Sequence, residues 1–234
     1  MTQIRPVLLL DLDNTILDFD WAEEGALSRT LKMYGIEPTP AIVTRYNEIN
    51  IRHWELLEEG KLTRPQVLVG RFEMLFDEQG IVCDGAAVAK TYEMELGIGH
   101  RFVDGAEALL EALYDKCDMY IVSNGCASVQ AGRLASSGIS RYFRDIFISE
   151  NIGFDKPGAD FFNYCFDRIE GFSKERCLIV GDSLTSDIRG GMNMGIKSCW
   201  FNPHGKKPRP GIVPDYEISS LDELPALVGR VLGI

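Results

Sequence analysis

Val7-Leu8-Leu9-Leu10-Asp11-Leu12-Asp13-Asn14-Thr15 runs four apolar residues straight into two carboxylates set two positions apart. An unbroken apolar run of this length suits a strand covered on both faces, as in a parallel sheet; an alternating pattern would mark a half-exposed strand. Carboxylates at the exit of a buried strand are costly to desolvate unless something pairs with them. A divalent cation would pair with both, holding one oxygen of Asp11 and leaving the other able to act as a nucleophile. The competing use is a helix N-cap at Asp13, which Asp often serves after a strand.

Working outward, apolar runs recur at residues 119–122, 146–148 and 177–180, with weaker ones at 196–201 and 216–218. Between them, residues 105–114, 128–136, 160–169 and 186–194 carry helical spacing. Strands alternating with helices predict βαβ units and a Rossmann-like α/β fold, a parallel sheet flanked by helices. Ligands bind such sheets at the carboxyl ends of the strands. Residues 18–99 differ: they contain no strand pattern but four amphipathic stretches, at 22–34, 40–59, 64–79 and 86–96, separated by Gly- and Pro-containing breaks. The expected organisation is an α/β core from residues 1–17 and 100–234, with an α-helical subdomain inserted at 18–99.

Three other strand exits carry polar residues. Ser123-Asn124-Gly125 follows the second run, offering a hydroxyl and backbone amides for an anion, or an ordinary capped turn. Asp155-Lys156-Pro157 follows the third, where Lys156 is either a point charge for an anion or a solvated lysine before a helix-starting proline. Gly181-Asp182-Ser183-Leu184-Thr185-Ser186-Asp187 follows the fourth. Asp182 there could ligate a metal and Asp187 could orient Lys156 or a bound water; a capping Asp with a surface partner is the alternative. Four carboxylates, one lysine and one hydroxyl converging on one rim need a cation, and suit a metal-clamped phosphate.

The whole-chain charge fits this reading. With 35 acidic and 24 basic residues the formal net charge is -11, which disfavours nucleic-acid polymers and requires an anionic substrate to be attracted locally. Six scattered cysteines form no C-x-x-C pair and three histidines stand far apart, so neither zinc nor disulfides are expected. Residues 7–10 are too short for the apolar core of a signal peptide, and no run approaches a membrane span, so a cytoplasmic protein without membrane association is expected.

Taken together, Asp11-Leu12-Asp13-Asn14-Thr15, Ser123-Asn124, Lys156-Pro157 and Gly181-Asp182-Ser183 to Asp187 resemble the four motifs of the haloacid dehalogenase superfamily of phosphohydrolases, with a helical cap of the C1 type after the first strand. A finer likeness, to the bacterial pyrimidine 5'-nucleotidase branch, lies in Asn50 to Trp54, Gly60-Lys61-Leu62-Thr63, Arg71-Phe72, Gln130, Arg133-Leu134 and Trp200-Phe201-Asn202. The resemblance implies that Asp11 attacks phosphorus and that Asp13 serves as acid and then base. It implies Mg²⁺ held by Asp11, Asp182 and the backbone carbonyl of Asp13, and a phosphate held by Ser123, Lys156 and the amides near Asn124. The implied substrate is a small phosphorylated metabolite, a nucleoside monophosphate in the finer branch. Asn50, Trp54, Phe19 and Trp21 are the cap candidates for selecting it. A sugar-phosphate phosphatase or phosphomutase would use the same motifs. A non-enzymatic binding protein would have no need of Asp11, Asp13, Lys156 and Asp182 together.

Overall fold

The computed structural model describes residues 5–233. These fall into two compact units: one built from the chain up to Phe19, His100–Ala127 and the residues from Ser137 on, the other from Asp20–Gly99 and Ser128–Ser136.

The first unit is organised by a six-stranded sheet. Its strands are β1 (Val7–Leu10), β2 (Asp118–Ser123), β3 (Asp145–Ile148), β4 (Cys177–Gly181), β5 (Lys197–Phe201) and β6 (Tyr216–Ile218). They lie in the order β3-β2-β1-β4-β5-β6, every neighbouring pair parallel. All six expected runs are strands, with ends moved by a residue at most. All four residues of β1 are buried, because alternate side chains face opposite layers of helix. Leu10 is level with Ile121 on one side and Val180 on the other, so β1 ends one residue short of β4 and two short of β2. The chain order reverses at β1, and Asp11 therefore sits at the switch point where such sheets place ligands.

In the second unit α1 (Phe19–Met33, whose first residue belongs to the sheet unit), α2 (Pro40–Glu58), α3 (Arg64–Gln79) and α4 (Gly85–Leu96) occupy the four amphipathic stretches. Their starts follow local rules. Thr39 and Thr63 stand before prolines at the first turns of α2 and α3, and the Asp84 carboxylate accepts from the amides of Ala86 and Ala87. Tyr46, Phe72 and Tyr92 form the aromatic centre, with ring centroids 5.1–5.7 Å apart.

The helices that follow are α5 (Ala106–Leu113), α6 (Ala127–Ser137), α7 (Ser149–Ile152), α8 (Ala159–Phe166), α9 (Arg189–Met194) and α10 (Leu224–Leu232). One face of the sheet, through Leu9, Val122 and Ile179, packs on Phe161, Phe162 and Cys165 of α8. α9 approaches α8 so closely that a Cβ at Gly190 would lie 2.5 Å from the Phe162 ring. The helix expected from residue 186 begins instead with a wider π-type turn, Leu184–Ile188, in which the Ile188 amide reaches back five residues to the Ser183 carbonyl. All six cysteines are free thiols, five of them buried. No helix among the described residues is long and apolar enough to cross a membrane.

Candidate active site

The residues after β1 turn back on themselves. The amides of Ile16 and Leu17 both reach the Leu12 carbonyl, and the Asn14 amide reaches the Leu17 carbonyl. Asn14 takes a left-handed φ of 57°, which Asn tolerates better than most residues, and its side-chain oxygen accepts from the Phe19 amide at 2.8 Å. The tight loop leaves Asp11 anchored by its own amide on the Val180 carbonyl, with Thr15 donating to its Oδ2 at 3.4 Å.

Lys156 lies in the loop between α7 and α8, joined to Pro157 by a cis peptide bond. It is 1% exposed, and its ammonium makes three bonds: to Asp11 Oδ1 at 2.8 Å, Asp187 Oδ1 at 2.6 Å and the Val122 carbonyl at 2.7 Å. Three N–H donors thus meet three acceptors, the condition under which a buried ammonium is tolerated. Burial pulls the Lys156 pKa down, but the two carboxylates outweigh it and the net shift is upward. Asn124 fixes the backbone of this lysine. Its amide donates to the Lys156 carbonyl and its oxygen accepts from the Lys156 amide, each at 2.9 Å. The Asn124 side chain therefore positions Lys156. The buried Ser123 hydroxyl accepts from the Gly125 amide at 3.0 Å.

Asp187 hangs from the π-type turn, fully buried, with Oδ1 on Lys156 and Oδ2 accepting from the Ser183 amide at 3.1 Å. Gly181 makes this possible, since a Cβ there would collide with the Asp187 carboxylate. Burial raises the Asp187 pKa, and Lys156 opposes the rise. Asp11 is pushed up to about 7, chiefly by burial, with Lys156 lowering it and the charges of Asp187 and Asp13 raising it further. One carboxylate oxygen from each of Asp11, Asp182 and Asp187 lies within 4.8 Å of the others. These are hard oxygen donors without His or Cys, and Asp11 is a carboxyl that needs more positive charge than Lys156 supplies. The set fits Mg²⁺. Asp11 and Asp182, the side-chain ligands that the family resemblance implies, both lie within this cluster.

Asp11, Asp13, Ser123, Asn124, Lys156, Asp182 and Asp187 all belong to the sheet unit. Asn50 and Trp54 belong to the helical unit. Asn50 is 4% exposed, donating to Glu23 Oε1 at 2.6 Å and accepting from Arg71 Nη1 at 2.8 Å, in a network that Tyr92 joins through Glu23. Its amide holds two buried charges in place. Asn50→Ala should therefore destabilise the protein by about 2–3 kcal/mol in denaturant unfolding, as expected when buried charged groups lose a partner. Trp54 is half-buried, with the Arg64 guanidinium 5.6 Å over its ring. The sequence reading missed Lys206, whose Nζ donates to Asp182 Oδ2 at 3.0 Å. It lies in the Pro- and Gly-rich tract after β5, and only that position, following a strand of the same rim, could have singled it out from Lys207 and Arg209.

Residues 8–201 match the family model of the haloacid dehalogenase-like hydrolases, and the chain belongs to that family. It is 46% identical to the HAD-hydrolase YfnB of Bacillus subtilis over 93% of this chain and 92% of that one. A crystal structure of YfnB bound to magnesium, which reveals interdomain movement, superposes with a TM-score of 0.92 over 99% of this chain and 100% of that chain. The pyrimidine 5'-nucleotidase PynA of Streptococcus pneumoniae is 40% identical over 93% of this chain and 92% of its own. Its counterpart YjjG of Escherichia coli is 30% identical over 94% and 96%.

Proposed function

We propose that this protein is a magnesium-dependent phosphomonoesterase that hydrolyses pyrimidine nucleoside monophosphates through a phosphoryl-enzyme on Asp11. The observation that carries the reading is the Lys156 ammonium bridging Asp11 and Asp187, with Asp182 within 4.8 Å of both, at the switch point of a parallel sheet. Lys156 holds Oδ1 of Asp11 and so orients the carboxylate, which presents Oδ2 to phosphorus. The Asp11–phosphorus bond forms as the phosphorus–oxygen bond to the nucleoside breaks, and the leaving oxygen takes a proton from Asp13. Asp13 then accepts a proton from water as that water attacks phosphorus, releasing inorganic phosphate and restoring Asp11. Lys156, the Ser123 hydroxyl and nearby amides balance the charge on the transferring oxygens. Mg²⁺, held by Asp11, Asp182 and the Asp13 carbonyl, would neutralise phosphate charge and polarise the phosphoryl group.

The substrate class rests on the two nucleotidase relatives. It is tested by kcat/KM for uridine, deoxyuridine and thymidine monophosphates beside a set of sugar phosphates, with and without chelator. The expected result is preference for the pyrimidine nucleotides, loss of turnover in chelator and recovery with Mg²⁺. Higher kcat/KM on sugar phosphates would overturn the substrate assignment, and full activity in chelator would overturn the chemistry.

A further inference from the structure

Two lysines touch the acidic cluster, and they are held in opposite ways. Lys156 is buried with every donor bonded, so it is a fixed part of the site. Lys206 has a side chain 53% exposed, and its ammonium meets Asp182, itself 18% exposed. The main chain carrying Lys206 is nevertheless well anchored. Asn202, 5% exposed, accepts from the Lys206 amide at 2.7 Å and donates to its carbonyl at 3.0 Å. The same Asn202 amide group donates to Glu217 Oε1 on β6 at 2.7 Å, tying the loop back to the sheet edge. On the other side of the pair, the Asp182 carbonyl accepts from the indole of the buried Trp200 at 2.9 Å. Ammonium and carboxylate are therefore brought together by two separate anchors, Asn202 and Trp200, both supplied by β5 and the residue after it.

We propose that Lys206 is an internal competitor for the divalent ion at Asp182: its ammonium occupies a carboxylate oxygen of this ligand, and the ion binds by displacing or sharing it. The proposal rests on the metal site read above. An oxygen accepting a hydrogen bond from an ammonium offers less electron density to a cation, and an ammonium that stays beside the bound ion repels it. Both effects act in the same direction, so removing the charge at Lys206 should strengthen ion binding. The pair is exposed, and pairs of that kind contribute little, so the change should be modest. Lys156 cannot play this part, because its displacement would strand two buried carboxylates.

Calorimetric titration of Mg²⁺ into the full chain tests this without any turnover. Lys206→Met should bind Mg²⁺ roughly two- to fivefold more tightly than the wild type, the range set by an exposed ion pair. Lys206→Arg, which keeps the charge, should stay within about twofold of the wild type by the same scale. The gap between wild type and Lys206→Met should narrow as salt rises from about 0.02 to about 0.5 M, because screening weakens an exposed pair. Unchanged or weaker binding in Lys206→Met, with an unaltered thermal melt, would overturn the proposal. A wild type that binds no Mg²⁺ would instead overturn the metal site on which it rests. Lys206→Gln, also neutral, should behave as Lys206→Met does, and a divergence between them would point to packing and against charge.

Discussion

Asp11→Asn should lose roughly 10⁴–10⁶-fold in kcat, the scale seen when a covalent nucleophile is removed, and should accumulate no phosphoryl-enzyme on rapid acid quench. The substitution is nearly isosteric, so the defect should not come from misfolding. Asn can still accept from Lys156 through its oxygen, and the amide group can face Thr15. What disappears is the anionic oxygen that the proposed mechanism directs at phosphorus. The roles proposed for Lys156 and Ser123 are untouched, so substrate affinity should change far less than kcat. Turnover near the wild-type level in the presence of Mg²⁺ would remove Asp11 from the mechanism.

Lys156→Met carries the second large effect, and it should appear in stability as well as in rate. The substitution leaves Asp11 Oδ1, Asp187 Oδ1 and the Val122 carbonyl without their shared donor. Breaking a buried ion pair by removing one partner typically costs about 3–5 kcal/mol. The sign of its pH dependence follows from the carboxyl groups. Burial already raises Asp11 to about 7 and Asp187 above its ordinary value, and in both Lys156 opposes the rise. Without the ammonium both rise further above their unfolded values. Between the unfolded and folded pKa the native state holds more protons than the unfolded chain, so its stability falls as pH rises. The penalty should therefore shrink as pH falls toward the ordinary Asp value of 3.8, near which the carboxyls begin to protonate in the unfolded chain as well, and should reach its full size above neutrality. Lys156 itself contributes throughout this range, because its folded pKa is raised and its stabilisation is lost only in strong alkali. Urea unfolding of wild type and variant from pH 4 to 8, in chelator, measures the difference. A gap independent of pH would mean that the carboxylates are not what Lys156 supports.

Much of this was legible in the residue pattern, for identifiable reasons. β1 could be read because all four of its residues are apolar and both faces of a central parallel strand are buried. The helices of the inserted unit could be read because four amphipathic stretches are separated by breaks that contain Gly and Pro. The four polar clusters could be placed because each directly follows a strand, or lies one short loop after it. Side-chain commitments were not legible. Nothing in Ser123-Asn124-Gly125 says that the Asn124 amide closes on the backbone of a residue 32 positions later. The wide turn before α9 was hidden for a related reason: helical spacing cannot distinguish a normal first turn from one held open so that Asp187 fits beneath Gly181. Lys206 escaped because a lone lysine in a loop rich in Pro and Gly has no periodicity to betray it.

The central place of β1 also bears on how the molecule assembles. Its hydrogen-bonding neighbours begin at Asp118 and Cys177, so the earliest of the described strands waits for more than a hundred residues of chain before either edge is satisfied. Closing loops of that span is entropically slow, and an unpaired apolar strand is a template for association between chains in the meantime. The intervening segment, helical and rich in short-range contacts, has no such wait. The surroundings of Asp11 are therefore complete only once β4 is in place, since the chain leaving that strand brings Asp182 and Asp187 with it.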